Sequence, residues 1–319
     1  MRRRVAGATT GDVGMKIGLG LETGGTIDEV VERARTLAAT GASSLWASQI
    51  FGWDTLTVLA VVGREVPEVG LGTAVVPVHP RHPMMLAEQA LTVQAAGGGR
   101  LTLGIGLSHQ VVVEGAWGYS FERPARYMQE YLSVLVPLLE GRQVSFEGEM
   151  VRTNSFGPLD VVPTPPPAVV VAALGPTMLR IAGTLADGTV TWMVGPDTIG
   201  NHIVPAITAA AGDAGRPAPQ VVVTLPVCVT ADADAARERA GRIFAMYGQL
   251  PSYRAMLDRE GVQGPADVAV VGDEDEVAAQ IRRLAEAGAT EFSGAVYGAP
   301  DEVERSRALL GAMAAAGGV

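Results

Sequence analysis

Residues Lys16–Ala47 read KIGLGLETGGTIDEVVERARTLAATGASSLWA, and this stretch decides the fold. A short apolar run, Lys16 to Leu21, is followed by Thr26-Ile27-Asp28-Glu29, in which a Thr and a Glu three residues apart form a helix-starting capping box. Val30, Ala34 and Leu37 then recur along one helical face, and Gly41 stands where a helix C-terminal glycine belongs. Ser44 to Ala47 opens a second apolar run. Strand, helix and strand in succession make the repeat of a parallel sheet.

The same alternation continues to the end of the chain. Further apolar runs are Val69 to Val76, Leu101 to Ile105, Ala168 to Ala173, Gly188 to Met193, Val221 to Val229 and Glu291 to Val296. Asp273 to Glu276 is a second capping box, followed by the stripe Val277, Ile281 and Leu284 and by a terminal Gly288. Eight alternating strands and helices predict a closed (β/α)8 TIM barrel, with an open doubly wound sheet as the alternative. Insertions are expected after strands 4 and 7. Gly141 to Pro167 contains Val144 to Val151, which reads as a small hairpin, and Tyr247 to Asp273 is long enough for an extra helix. Both are candidate walls of a site, because barrel sites are built from the loops at strand C-termini.

The 319 residues suit one barrel domain, here expected over 15–319. Residues 1–14 carry Arg2, Arg3 and Arg4 but no following apolar segment, so they read as a disordered extension, not a secretory signal, and Met15 stands as an alternative start. Cytoplasmic location is the default expectation. With 34 acidic against 24 basic side chains and a net charge of −10, the chain has no basic stripe for nucleic acid. Its apolar stretches are too short to span a membrane. The single Cys228 excludes an internal disulfide and a cysteine zinc cluster.

The barrel rule points to residues just past each strand. Ser48-Gln49-Ile50-Phe51-Gly52-Trp53 follows the second, Pro77 to Pro83 with His79, Arg81 and His82 follows the third, and Gly106-Leu107-Ser108-His109-Gln110 follows the fourth. Three of the four histidines therefore fall on one rim. No metal is expected, because acidic partners at ligand spacing do not accompany them. In Ala172-Ala173-Leu174-Gly175-Pro176-Thr177 a strand ends in small residues and a helix begins at once. Such a turn offers free backbone N–H groups and a positive dipole end to a phosphate, or is simply tight. No Walker or full dinucleotide fingerprint is present. Trp46 reads as core, while Trp53, Trp192, Arg123 and Arg126 are either structural or parts of the rim.

Taken in order and spacing, Ser44 to Gln49, Gly72-Thr73-Ala74-Val75-Val76-Pro77, Arg81-His82-Pro83, Gly99 to Gly106 and Ala186-Asp187-Gly188 resemble the bacterial luciferase-like flavin and deazaflavin oxidoreductases. The closest likeness is to the actinobacterial branch that uses the deazaflavin coenzyme F420. Leu107 to Gln110, Glu114 and Arg123-Pro124-Ala125-Arg126 are similar to one subgroup of that branch, and the resemblance runs from about Met15 to the C-terminus.

The resemblance implies an eight-stranded α/β barrel whose third strand ends in a bulge with a non-prolyl cis peptide behind the flavin ring, here Ala74–Val75. It implies a coenzyme phosphate held by backbone groups matching Gly106, Leu107, Ser108 and His109, and Ala173, Leu174, Gly175, Pro176, Thr177 and Met178. Ser48, Thr73 and Ala172 complete the expected coenzyme-binding set. Many relatives carry an Asp-His pair after the second strand where this chain has Ser48-Gln49, and neither residue is a general acid near neutral pH. Proton transfer is therefore assigned to His109, with Glu114 as second choice and Gln49 orienting a carbonyl or ring edge. The implied activity is F420-dependent hydride transfer at the deazaflavin C5, reducing an activated C=C or C=N bond of a small organic molecule, in a homodimer. An FMN-dependent monooxygenase and a non-catalytic deazaflavin-binding protein are the alternatives.

Overall fold

A computed structural model of the chain describes residues 14–161 and 165–319; the expected extension therefore lies outside the described residues except for Gly14. Eight parallel strands form the central sheet: β1 (Lys16–Gly20), β2 (Ser44–Ala47), β3 (Gly70–Thr73), β4 (Leu101–Gly106), β5 (Ala168–Val171), β6 (Gly188–Trp192), β7 (Gln220–Val229) and β8 (Glu291–Val296). β8 pairs with β1 through Lys16↔Glu291, and β6 pairs with β7 through Val190↔Val222, so the ring closes and the open sheet is excluded.

Strand alternation sorts the apolar residues into two layers. Ile17, Leu45, Leu71, Leu103, Val171, Val223 and Phe292 face outward and join the helices in one large core. Trp46, Val170, Val190 and Val222 face inward and form a separate cluster inside the barrel. Trp46 fills the lower barrel because its neighbours are glycines. A Cβ on Gly72 would collide with the indole ring, and one on Gly18 with Ser44 and the indole edge. The indole N–H donates to Glu291 Oε1 at 2.7 Å and lies 2.9 Å from Ser44 Oγ, which itself donates to Glu291.

Both capping boxes form as the sequence implies. Thr26 and Glu29 start the helix Ile27–Ala39, and Asp273 and Glu276 start Glu274–Glu286. Gly41 and Gly288 both have φ of +97°, the left-handed conformation that a helix-terminating glycine supplies.

Two expectations are corrected and a third is met with an addition. The run Val69 to Val76 is not one strand: β3 stops at Thr73, and pairing with β4 resumes at Val76–Pro77. Gly72 pairs with Thr102 and Val76 with Ile105, so four steps on β3 span three on β4 and one residue is extruded as a bulge. The hairpin pairs Ser145–Glu147 with Arg152–Asn154, slightly later than expected. It also leaves from the end of the helix Pro124–Leu139, not from β4, so it is no strand-end loop. The extra helix expected within Tyr247 to Asp273 forms as Pro251–Glu260, and beyond it lies an unexpected short strand, Val270–Gly272, which extends the sheet beside Val227–Val229.

The hairpin is tied back to the barrel by one carboxylate. Glu130, with a side chain only 3% exposed, accepts the backbone N–H groups of Glu149, Met150 and Val151 at 3.2, 2.8 and 3.0 Å and the Arg126 Nε at 2.6 Å. Burial alone would raise its pKa, but the Met150, Val151, Arg126 and Glu149 donors more than offset this and hold it at about 2. Its stabilisation is therefore complete above the ordinary value of 4.5 and is lost as pH falls from there through about 2. Glu130→Ala leaves three N–H groups without an acceptor and is expected to cost about 3 kcal/mol at pH 7 in urea unfolding. The gap between wild type and variant should narrow progressively below pH 4.5; a constant gap would show that the carboxylate charge is not what holds the hairpin.

Candidate functional site

The C-terminal mouth of the barrel is lined by small side chains. Following the inward alternation upward, β1, β2, β4 and β5 end at Gly20, Ser48, Gly106 and Ala172, and the β3 bulge places Ala74 and Val75 between them. A Cβ on Gly106 would run into Val75 and approach Ala172, which shows that these three converge. Ser48 and Ala172 face the axis yet are exposed. The lower barrel is plugged by an indole while the upper barrel is an open bowl.

The bulge is held by side chains where ladder bonds fail. Thr73 Oγ1 donates to Gly104 O at 2.7 Å and accepts Gly104 N–H at 2.8 Å, so a buried hydroxyl replaces the missing backbone partners. Ser48 Oγ donates to Ala74 O at 2.7 Å, and Gln49 N donates to Val75 O. The Ala74–Val75 peptide bond is cis.

Beside the bulge, two strand-end loops present backbone N–H groups. Helices following β1, β2 and β3 begin with side-chain caps from Thr26, Asp54 and His82, and the segment after β6 receives the Glu260 carboxylate on Asp197 N and Thr198 N. The segments after β4 and β5 differ: His109 and Gly175 provide no side-chain cap, and neither following helix has an acid in its first turn. Their orphan donors and the positive end of the Pro176–Leu185 helix suit an anion. Ser108 bends its loop with φ of +62°. His202 Nε2 meets Leu174 O at 2.8 Å and so ties the β5 loop to the neighbouring Ile199–Ile203 turn.

The opposite side of the mouth is aromatic. His109 lies 5.7 Å from the ring of Tyr253, Tyr253 lies 5.4 Å from Tyr247, and Tyr247 and Phe244 each stand edge-on to Trp192 at 5.7 Å. Burial lowers the His109 pKa below the ordinary 6.5 and raises the Tyr253 phenol above 10. His109 is thus mostly neutral at pH 7 and able to accept a proton, or to give one up readily once charged.

Other candidates hold the rim together. Gln49 Oε1 accepts Thr55 N–H at 2.7 Å, and its Nε2 donates to Trp53 O at 3.3 Å, so its amide is engaged within its own loop. Glu114 is exposed and binds Gln110 Nε2 and Phe121 N. His79 stacks on Tyr127 at 4.8 Å, and His82 caps Pro83–Ala96 while touching Arg152 O. Arg81 pairs with Asp54 at 2.6 Å, and Arg123 with Glu149. A cleft beside the mouth runs between Gln49, Phe51, Pro77, Arg81 and Trp117. A second lies among Val136, Ala168, Asp187, Arg216 and Gln220 at the strand N-termini, the wrong end for a barrel site. Among the described residues, no three His, Cys, Asp or Glu side chains gather as metal ligands, and no helix is long and apolar enough to cross a membrane.

Residues 13–291 match the luciferase-like monooxygenase family. An uncharacterized protein of Mycobacterium tuberculosis is 28% identical over 259 residues, 76% of either chain. The F420-dependent glucose-6-phosphate dehydrogenase of Nakamurella multipartita is 31% identical over 224 residues, 68% of this chain and 63% of that one. The structure of the coenzyme F420-dependent tetrahydromethanopterin reductase from Methanopyrus kandleri superposes with a TM-score of 0.77 at 22% identity, covering 93% of this chain and 97% of that one.

Thr73→Val keeps the shape of the bulge residue but leaves both Gly104 groups unpaired, and is expected to lower stability by about 2 kcal/mol in urea unfolding. Thr73→Ser, which restores the hydroxyl, should recover most of that loss. Equal losses in the two variants would mean that packing of the Thr73 methyl is what matters.

Proposed function

Because the chain belongs to the luciferase-like monooxygenase family, we propose that it is a cytoplasmic, homodimeric oxidoreductase that uses coenzyme F420 to reduce an activated C=C or C=N bond of a small organic substrate. Two of the relatives above are named for that coenzyme. The observation that carries the reading is the convergence of the Ala74–Val75 bulge with two uncapped backbone loops around a mouth of Gly, Ala and Ser. That donor set fits a flat ring with a phosphate-bearing tail: small inward residues leave room for the ring, and neutral amides with no nearby first-turn acid receive the anion. When bound, the deazaflavin supplies or accepts a hydride at C5.

In this reading Ala74 and Val75 back the ring, held by Ser48 and Thr73. The amides of Leu107, Ser108 and His109 and of Leu174, Gly175, Thr177 and Met178 hold the tail beside Gly106, Ala172, Ala173 and Pro176. Tyr247, Tyr253 and Trp192 exclude water from the substrate side, and His109 moves the proton. Gln49 and Glu114 act as positioning residues of their loops. Ile50, 67% exposed, and Phe51, 75% exposed, are apolar surface that a second copy would cover.

Titration of the protein with oxidised F420 should show stoichiometric binding and FMN should bind far more weakly; tight FMN binding without F420 binding would overturn the coenzyme assignment. Reduction needs protonated His109, so kcat for reduction should fall as pH rises through a pKa below 6.5, and the reverse oxidation should rise through the same range. His109→Gln should flatten both profiles and reduce kcat by roughly 10²-fold with F420 affinity little changed. An unaltered profile in that variant would remove His109 from proton transfer.

A further inference from the structure

Three buried polar atoms inside the barrel find no hydrogen-bond partner among the described residues: Trp192 Nε1 on β6, Thr224 Oγ1 on β7 and Ser293 Oγ on β8. They are neighbours on adjacent strands, since Thr224 pairs in register with both Trp192 and Ser293. They also share one face. Val190 and Val222, two residues below Trp192 and Thr224, pack against Trp46 inside the barrel, and Glu291, two below Ser293, takes the Trp46 indole N–H. The Trp192 N–H lies near the Tyr247 hydroxyl and counters part of the rise that burial imposes on that phenol, yet makes no aligned hydrogen bond.

A buried polar group left unpaired is destabilising, and native interiors contain few of them. Three on adjacent strands form an arc of donors. β7 stands four strands from β3 in an eight-strand ring, so the arc faces the Ala74–Val75 bulge across the bowl. The Trp192 ring itself stands edge-on to Tyr247 and Phe244.

The arc and the rings that contact Trp192 are neutral. The only lysine of the chain, Lys16, begins β1 at the opposite end of the barrel. Arg81, Arg126 and Arg254 are committed to Asp54, Glu130 and Asp258. A phosphate group would gain no charge partner from this wall, whereas a carbonyl or imine would gain up to three donors beside an aromatic cluster.

We propose that Thr224 and Ser293, aided by Trp192, bind the carbonyl or imine end of a neutral, conjugated, largely apolar substrate and so set the specificity of the site. This rests on the oxidoreductase reading above and adds the substrate class. It also separates the chain from its sugar-phosphate-named relative, which is 31% identical.

The test is calorimetric titration with benzylideneacetone, 1-phenyl-1-butene (which lacks the carbonyl) and glucose 6-phosphate, on the protein with and without oxidised F420. Benzylideneacetone should bind saturably, at least tenfold tighter than 1-phenyl-1-butene, and glucose 6-phosphate should show no binding. Thr224→Val with Ser293→Ala should weaken benzylideneacetone at least tenfold and leave F420 affinity unchanged, while Thr224→Ser should retain wild-type binding. Unchanged benzylideneacetone affinity in the double variant, no preference for the carbonyl compound, or preferential binding of glucose 6-phosphate would overturn the assignment. Failure of wild type to bind F420 would instead strike the coenzyme reading, and the titrations without F420 would still decide the role of the arc.

Discussion

The rest of the structure depends on how side-chain volume is distributed along the barrel axis. Trp46 occupies the lower half because Gly18 and Gly72 have no Cβ to oppose it, and Glu291 fixes its indole by accepting the N–H. The barrel is therefore closed at the level of one aromatic ring. Above that ring the inward positions of β1 to β5 are Gly20, Ser48, Ala74, Gly106 and Ala172, none of which can fill its side of the space, while Trp192 and Thr224 face them from β6 and β7. A barrel interior is ordinarily packed in layers throughout its height; here the packing stops halfway, and a binding bowl begins where it stops.

Opening the bowl at β3 requires the chain to leave the ladder, and backbone groups there would be orphaned without local repair. The extruded residue between Gly72 and Val76 removes regular pairing opposite Gly104, and the Thr73 hydroxyl restores both bonds. Ser48 performs a similar service for Ala74 O. These two hydroxyls point at backbone, whereas those of Thr224 and Ser293 find no partner among the described residues. The same chemical group thus separates the two sides of the mouth: satisfied on the bulge side, unsatisfied on the side facing it.

Much of this was legible in the residue order, and the failures have physical causes. The strands Ser44–Ala47 and Glu291–Val296 fall where their apolar runs fall, and both capping boxes form as their spacing demands, because these signals are local. The uncapped turn at Gly175 was visible for the same reason: small residues ran directly into Pro176. The bulge was not, because Val69 to Val76 is uninterruptedly compatible with a strand and register is a property of two strands. Tyr253 meets His109 across 144 positions of sequence, a proximity that periodicity cannot express. Gln49 and Glu114 drew attention as polar rim residues, yet their hydrogen bonds run to Thr55 and Phe121 in their own loops. Thr224 and Ser293 escaped notice because hydroxyls in β-branched runs read as ordinary strand residues until closure of the ring shows which way they face.

Capping shows where the fold gives up local stability. Side-chain caps at Thr26, Asp54 and His82 each satisfy a helix-start donor, worth about 1 kcal/mol apiece. Omitting them after β4 and β5 forgoes comparable stabilisation in two adjacent loops, and the unpaired Thr224 and Ser293 add a further cost directly across the axis. The outer core and the Trp46 layer, by contrast, bury their apolar residues almost completely. A ligand that supplied both an anion at the β4 and β5 loops and an acceptor at β7 and β8 would complete interactions that the chain alone leaves open, and would be bound by them. The donors are therefore set in place by the barrel before any ligand arrives, and little ordering cost remains for binding to overcome.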